Sequence, residues 1–221
     1  MKTARLRWEG GTVSAAWHDA PGDTLLALTH GAGGTMETPS LRAYAEAMAA
    51  RGVRVVRFNL PYVEAGRKSP GPAARDQACW RDVAAALRPE AKTLVLGGRS
   101  YGGRMASHVA ADGAPCDALV FLAYPLHPPG KPEQLRSAHL GQIAMPMLFL
   151  QGTRDPFAEP ALLARTIDAL PRATLHRLEG ADHGHKVRGR APADVVAELA
   201  DVTARWLADL PTGRSKTRAR T

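Results

Sequence analysis

Twelve residues, Thr93-Leu-Val-Leu-Gly-Gly-Arg-Ser-Tyr-Gly-Gly-Arg104, constrain this chain more than any other stretch. An apolar run of strand length, Thr93 to Gly97, stops at a serine set between glycines. Beyond Gly103 the apolar residues Met105, Ala106, Val109 and Ala110 recur at helical spacing. A serine on such a strand-to-helix turn takes a strained backbone and tolerates no crowding on either side, which is what Gly98 and Gly102 provide. Ser100 is therefore the candidate nucleophile. The bare five-residue pattern has a plainer reading, a turn or helix-cap serine in a glycine-rich loop. The strand before it and the helix after it favour the elbow.

A short buried strand feeding a helix implies a parallel sheet with helices on both faces, and the chain supplies the other elements in alternation. Arg5 to Trp8 and Thr12 to Trp17 flank Gly10-Gly11 and read as a hairpin of two edge strands. Thr24 to Thr29 is a continuous apolar run, as expected of a central strand, and ends at His30-Gly31-Ala32-Gly33-Gly34. Leu41 to Ala50 reads as a helix, Val53 to Phe58 as a strand, residues 59 to 72 as a loop and Asp76 to Leu87 as a helix. Ala118 to Leu122 is the next strand, followed by a proline-rich stretch, Ala123 to Gln142, long enough to be functional and read as a wall or lid of the pocket. Pro146 to Leu150 and Thr174 to Leu178 read as strands, with helices at Glu159 to Leu170 and Ala193 to Leu210.

Length and composition fit one globular α/β domain over residues 1–210: 221 residues, 45% hydrophobic and 23% charged. No apolar run approaches the roughly 18 to 20 residues that span a bilayer, and Lys2, Arg5, Arg7 and Glu9 interrupt the start, so a cytoplasmic protein without a membrane partner is expected. Cys79 and Cys116 have no metal-ligand spacing and read as reduced thiols. The net charge of +8 invites a nucleic-acid reading, but Arg214, Lys216, Arg218 and Arg220 in residues 211–221 supply four of the eight charges. These eleven residues read as a basic, disordered tail, and no specific nucleic-acid motif is present.

A serine hydroxyl needs a base to take its proton and a third group to hold that base in the right tautomer. Asp155, in Gly152-Thr-Arg-Asp155-Pro-Phe157, and His183, in Gly180-Ala-Asp-His183, each follow a late strand. Strand ends of a parallel sheet share one edge, so serine, aspartate and histidine can converge there. Each has a plainer role: Asp155 before Pro156 could cap a helix, and His185, His30 and His127 rival His183 as the base. His18, His108, His139 and His176 read as surface or packing residues. In strand–turn–helix hydrolases the oxyanion is held by the N–H after the nucleophile, here Tyr101, and by an N–H of a flexible loop after an earlier strand, for which Ala32 is the candidate.

His30-Gly-Ala-Gly, Asn59-Leu-Pro-Tyr62, Gly97 to Arg104, Pro125-Leu-His-Pro-Pro-Gly-Lys-Pro132, Gln151-Gly-Thr-Arg-Asp-Pro156 and Ala181-Asp-His183 together resemble the small α/β-hydrolases related to dienelactone hydrolases. That group includes the hydrolase-like domain of a eukaryotic chromatin-complex subunit. The resemblance implies an α/β-hydrolase fold, a mostly parallel doubly wound sheet of about seven or eight strands with little or no cap domain. It carries over Ser100, Asp155 and His183 but no substrate. Dienelactone hydrolases themselves use a cysteine where this chain has Ser100.

These residues predict a serine hydrolase of a small ester or thioester that works through an acyl-enzyme and needs no metal or organic cofactor. His30, Arg99, His127, Lys131 and Arg154, with Arg104, fall in or beside the pocket loops and could favour an anionic acyl group. A non-catalytic scaffold on the same fold and a small serine peptidase are the alternatives, and the oligomeric state is left open.

Overall fold

The computed structural model describes residues 2–210; the basic tail read at 211–221 lies outside the described residues. Eight strands form one sheet in the order β1-β2-β4-β3-β5-β6-β7-β8. These are β1 (Lys2–Trp8), β2 (Gly11–His18), β3 (Thr24–Thr29), β4 (Arg54–Phe58), β5 (Thr93–Arg99), β6 (Ala118–Leu122), β7 (Met147–Gly152) and β8 (Ala173–Leu178). Every pairing from β4 through β8 is parallel, while β2 runs antiparallel to both β1 and β4. Six α-helices are present among the described residues: α1 (Pro39–Ala49), α2 (Pro61–Glu64), α3 (Ala73–Leu87), α4 (Tyr101–Ala111), α5 (Pro160–Asp168) and α6 (Pro192–Ala208). Among the described residues no separate cap stands over the sheet, and no helix is long and apolar enough to cross a membrane.

The central strands read as unbroken apolar runs because helices cover both of their faces. Every residue of β6 and β7 is buried, as are five of the six in β3. On one face Leu41, Tyr44 and Met48 of α1 pack with Val195 and Leu199 of α6 over Leu26, Val95, Val120 and Leu148. On the other, Trp80 and Val83 of α3, Met105 and Val109 of α4, and Leu163 and Ile167 of α5 cover Leu96, Phe121 and Phe149. Each such large apolar side chain adds about 1.5–3 kcal/mol on full burial.

Two expectations need correction. The hairpin at Gly10-Gly11 forms, but only β1 is an edge strand, since β2 pairs with β4 through Ala15↔Phe58 and its neighbours. Val13, Ala15 and Ala16 are fully buried, so β2 is an interior strand. The loop at 59–72 also contains the short helix α2, and α3 begins three residues early at Ala73, where Pro72 leads into Ala73-Ala74-Arg75.

Because β3 through β8 are parallel, their carboxyl ends point the same way. The glycine loop leaves β3 there, the elbow leaves β5, the Asp155 turn leaves β7 and the His183 loop leaves β8. This sheet edge is where three residues distant in sequence can meet.

Candidate active site

Ser100 sits at φ 49° and ψ −116°, a left-handed conformation that a non-glycine residue rarely takes. Its own N–H donates to Leu122 O at 2.9 Å, and its carbonyl accepts from Arg104 N at 3.0 Å, the first turn of α4. The flanking glycines are required by close approach. A Cβ on Gly98 would lie 2.6 Å from Thr29 O, and one on Gly102 would lie 2.3 Å from Thr29 Oγ1 and 2.5 Å from His30 O. The glycine loop and the elbow are therefore packed backbone to backbone.

Ser100 Oγ lies 2.9 Å from His183 Nε2, and His183 Nδ1 lies 2.8 Å from Asp155 Oδ2. Asp155 is 3% exposed and accepts two further bonds, from Gln151 Nε2 to Oδ2 at 2.6 Å and from Phe157 N to Oδ1 at 2.8 Å. With Asp155 accepting throughout, the proton of a neutral His183 sits on Nδ1, and Nε2 offers a lone pair to the serine hydroxyl. The N–H groups of Ala32 and Tyr101 donate to no other group among the described residues. Tyr101 opens α4, where the first N–H groups have no partner within the helix.

The other histidines at this edge are held by backbone. His30 is fully buried, accepts from Leu60 N at its Nε2 (3.1 Å) and donates from Nδ1 to Gly31 O (2.9 Å). Burial lowers its pKa, so the neutral ring acts as a pin between the 59–72 loop and the glycine loop. His127, 3% exposed, accepts from Glu159 N at its Nε2 (2.9 Å) and donates from Nδ1 to Pro128 O (2.8 Å). His185 donates from Nε2 to Leu150 O (3.1 Å), and burial holds it down to about 4. Of the four rivals, His183 alone spans Ser100 and Asp155.

The structure also distributes the cations unevenly. Arg99 Nη2 donates to His183 O at 2.7 Å, which ties the histidine loop to the end of β5. Arg104 lies over the Tyr101 ring, 6.0 Å from its centroid. Lys131 and Arg154 are exposed, and neither side chain forms a hydrogen bond or ion pair with Ser100, His183 or Asp155. The 123–142 stretch adjoins the site through His127 N–H, which donates to Phe157 O at 3.0 Å, while the Phe157 ring lies 4.3 Å from that of His183.

Three contributors carry no signal that sequence reasoning used: Gln151 on Asp155, Phe157 against His183, and the grip of Arg99 on a backbone carbonyl. Gln151 and Phe157 flank Asp155 in the sequence, and a search around each candidate for groups able to hold it in place would have found them. Arg99 is read from the sequence as a substrate contact, whereas its guanidinium is engaged by the protein.

Residues 22–208 match the alpha/beta hydrolase domain family. Among solved structures, the chain is similar to an α/β serine hydrolase without a lid from Xanthomonas campestris, with 25% identity over 95% of this chain and 96% of that one and a TM-score of 0.69. It is also similar to an α/β serine hydrolase homologue from Coxiella burnetii, with 19% identity over 93% and 97% and a TM-score of 0.75. A dienelactone hydrolase from Anabaena variabilis matches at 17% identity over 94% and 96%, with a TM-score of 0.74. With the match running from before β3 to the end of α6, the chain belongs to the alpha/beta hydrolase domain family, and the dienelactone hydrolase shares its fold.

Proposed function

We propose that this protein is a serine hydrolase that cleaves a small ester or thioester through an acyl-enzyme. The observation that carries the proposal is the chain Ser100 Oγ, His183 Nε2, His183 Nδ1, Asp155 Oδ2, with links of 2.9 and 2.8 Å, assembled at a strained elbow. In the first half-reaction Ser100 Oγ attacks the acyl carbon as its proton passes to His183 Nε2. The tetrahedral oxyanion is held by the N–H groups of Ala32 and Tyr101. Its collapse breaks the bond to the leaving alcohol or thiol, which takes the proton from His183. In the second, water loses a proton to the same nitrogen, attacks the acyl-serine, and the acid leaves as Ser100 regains its hydrogen. Asp155 holds the imidazole and stabilises the imidazolium formed in each half.

Preorganised backbone donors are worth about 2.7–4 kcal/mol each in sites of this kind, and removal of the nucleophile lowers kcat about a millionfold. The test is pre-steady-state hydrolysis of p-nitrophenyl acetate and of a short acyl thioester. A burst of p-nitrophenol approaching one equivalent per chain, absent in Ser100→Ala, is the expected result. Turnover of every ester and thioester unchanged in Ser100→Ala would overturn the assignment.

A further inference from the structure

A small cavity of about 200 Å³ lies beside the glycine loop, bounded by Tyr62, Arg67, Gly71, Pro72, Arg75 and Asp76. Two of its walls reach the residues that flank Ser100. Tyr62 Oη donates to Gly31 O and lies against the His30 ring, both at 3.3 Å. Asp76 Oδ2 accepts from Tyr101 Oη at 2.8 Å. Lys68 O comes within 3.8 Å of where a Cβ on Gly33 would stand, so the same loop that carries Arg67 packs on the glycine loop. The cavity lining thus touches the side chain of Tyr101 directly and the glycine loop at Gly31, the residue before Ala32.

Its electrostatics favour an anion. Arg67 and Arg75 are exposed at the rim, and neither guanidinium forms an ion pair within 4.0 Å among the described residues, although Arg75 is near enough to act on the Asp76 carboxyl through its charge; Arg75 lies over the Trp8 ring at 5.6 Å. The one acid in the lining, Asp76, is 2% exposed and accepts from Tyr101 Oη, so its Oδ2 is turned to the elbow side of the cavity wall. The amino end of α3 also opens here, with no side chain capping its first N–H groups. A volume below the usual few hundred Å³ of a drug-sized pocket suits a carboxylate or phosphate on a short linker rather than a long acyl chain.

We propose that this cavity binds the anionic end of the substrate, a carboxylate or phosphate set a short distance from the scissile bond, through Arg67 and Arg75. The assignment rests on the hydrolase reading above. It differs from the contacts expected from the sequence, because Arg99 is engaged by His183 O, and Arg99, Lys131 and Arg154 do not line this cavity.

The test compares kcat/KM for neutral p-nitrophenyl butyrate with p-nitrophenyl hemiglutarate, 4-acetoxybenzoate and 4-acetoxyphenyl phosphate. These place a carboxylate on the acyl side, a carboxylate on the leaving group and a phosphate on the leaving group. In Arg67→Gln/Arg75→Gln the anionic-to-neutral ratio for at least one of the three falls about tenfold or more, mainly through KM and less at high salt. Which ester responds identifies the group and its side of the scissile bond. A ratio unchanged for all three overturns the proposal, provided the melting temperature shows the variant folded. Titration of Ser100→Ala with monomethyl glutarate and with phenyl phosphate reads binding without turnover. Arginine-dependent binding of either ligand supports the site, and arginine-independent or absent binding of both counts against it. Fluorophosphonate labelling of Ser100 with no arginine-dependent preference would sink this cavity alone. No labelling and no turnover would sink the hydrolase reading beneath it.

Discussion

Replacing Asp155 with asparagine removes a charge and one acceptor from a carboxylate that accepts three bonds in a nearly sealed site. Oδ1 accepts from Phe157 N at 2.8 Å, and Oδ2 accepts from both His183 Nδ1 and Gln151 Nε2. If the asparagine oxygen stays on Phe157 N, its amide faces two donors, and His183 must switch tautomer, with Nδ1 accepting and Nε2 protonated. The base then has no lone pair for Ser100. If the amide is flipped, the Phe157 N–H loses its acceptor, at about 1–3 kcal/mol for a buried donor left unpaired. Either arrangement also withdraws the negative charge that steadies the imidazolium. The comparable change in a serine-protease triad costs about 10⁴ in kcat, or roughly 5.5 kcal/mol of transition-state stabilisation. We therefore expect Asp155→Asn to lower kcat about 10³- to 10⁴-fold with a modest fall in melting temperature. Stopped-flow acylation with p-nitrophenyl acetate, alongside thermal unfolding, measures both. A loss below about tenfold in a folded variant would refute the argument that Asp155 sets the tautomer of His183.

Arg99→Met should lower kcat by about 10- to 100-fold with little change in KM, because releasing His183 O lets the imidazole drift from Ser100; partial recovery in Arg99→Lys would support positioning, whereas a change confined to KM would indicate a substrate contact. Gly102→Ala places a Cβ 2.3 Å from Thr29 Oγ1 and 2.8 Å from Thr29 O, so denaturant unfolding should show a loss of about 2–4 kcal/mol, and a neutral result would contradict the close packing of elbow on glycine loop. His139, stacked 3.7 Å from His108, and His185 are both held down to about 4 by burial. Their neutral forms are the folded ones, so their contribution is complete above about pH 6.5 and is lost as pH falls from there toward 4, with a slope of at most about 1.4 kcal/mol per unit for each group. Melting temperature should therefore fall between pH 7 and 5, and less steeply in His139→Gln; equal slopes would remove His139 from the explanation.

The parts of the fold legible in the sequence are those whose pattern is local. The apolar runs of β3, β6 and β7 announce strands covered on both faces, and the switch from a continuous apolar run to helical spacing at Ser100 announces the elbow. The interior place of β2 is not local. A hairpin pattern is the same whether one or both of its strands are edges, and only the pairing of Ala15 with Phe58 decides it. The histidines show the same limit. His30, His127, His183 and His185 all follow strands at one edge, and what separates them is the partner each ring finds: Leu60 N, Glu159 N, Ser100 Oγ or Leu150 O. Arg99 illustrates it from the other side, since an arginine beside a nucleophile suggests a substrate contact until the loop after β8 is seen to bring His183 O within 2.7 Å.

The measurement closest to the central claim is intact-mass analysis after treatment with a fluorophosphonate, on the wild type, Ser100→Ala and His183→Ala. One adduct per wild-type chain, mapped to Ser100, is expected, with none or only a trace in either variant. A folded wild type that takes no adduct, or one labelled at another residue with Ser100→Ala unaffected, would contradict it and favour a hydrolase fold used as a scaffold.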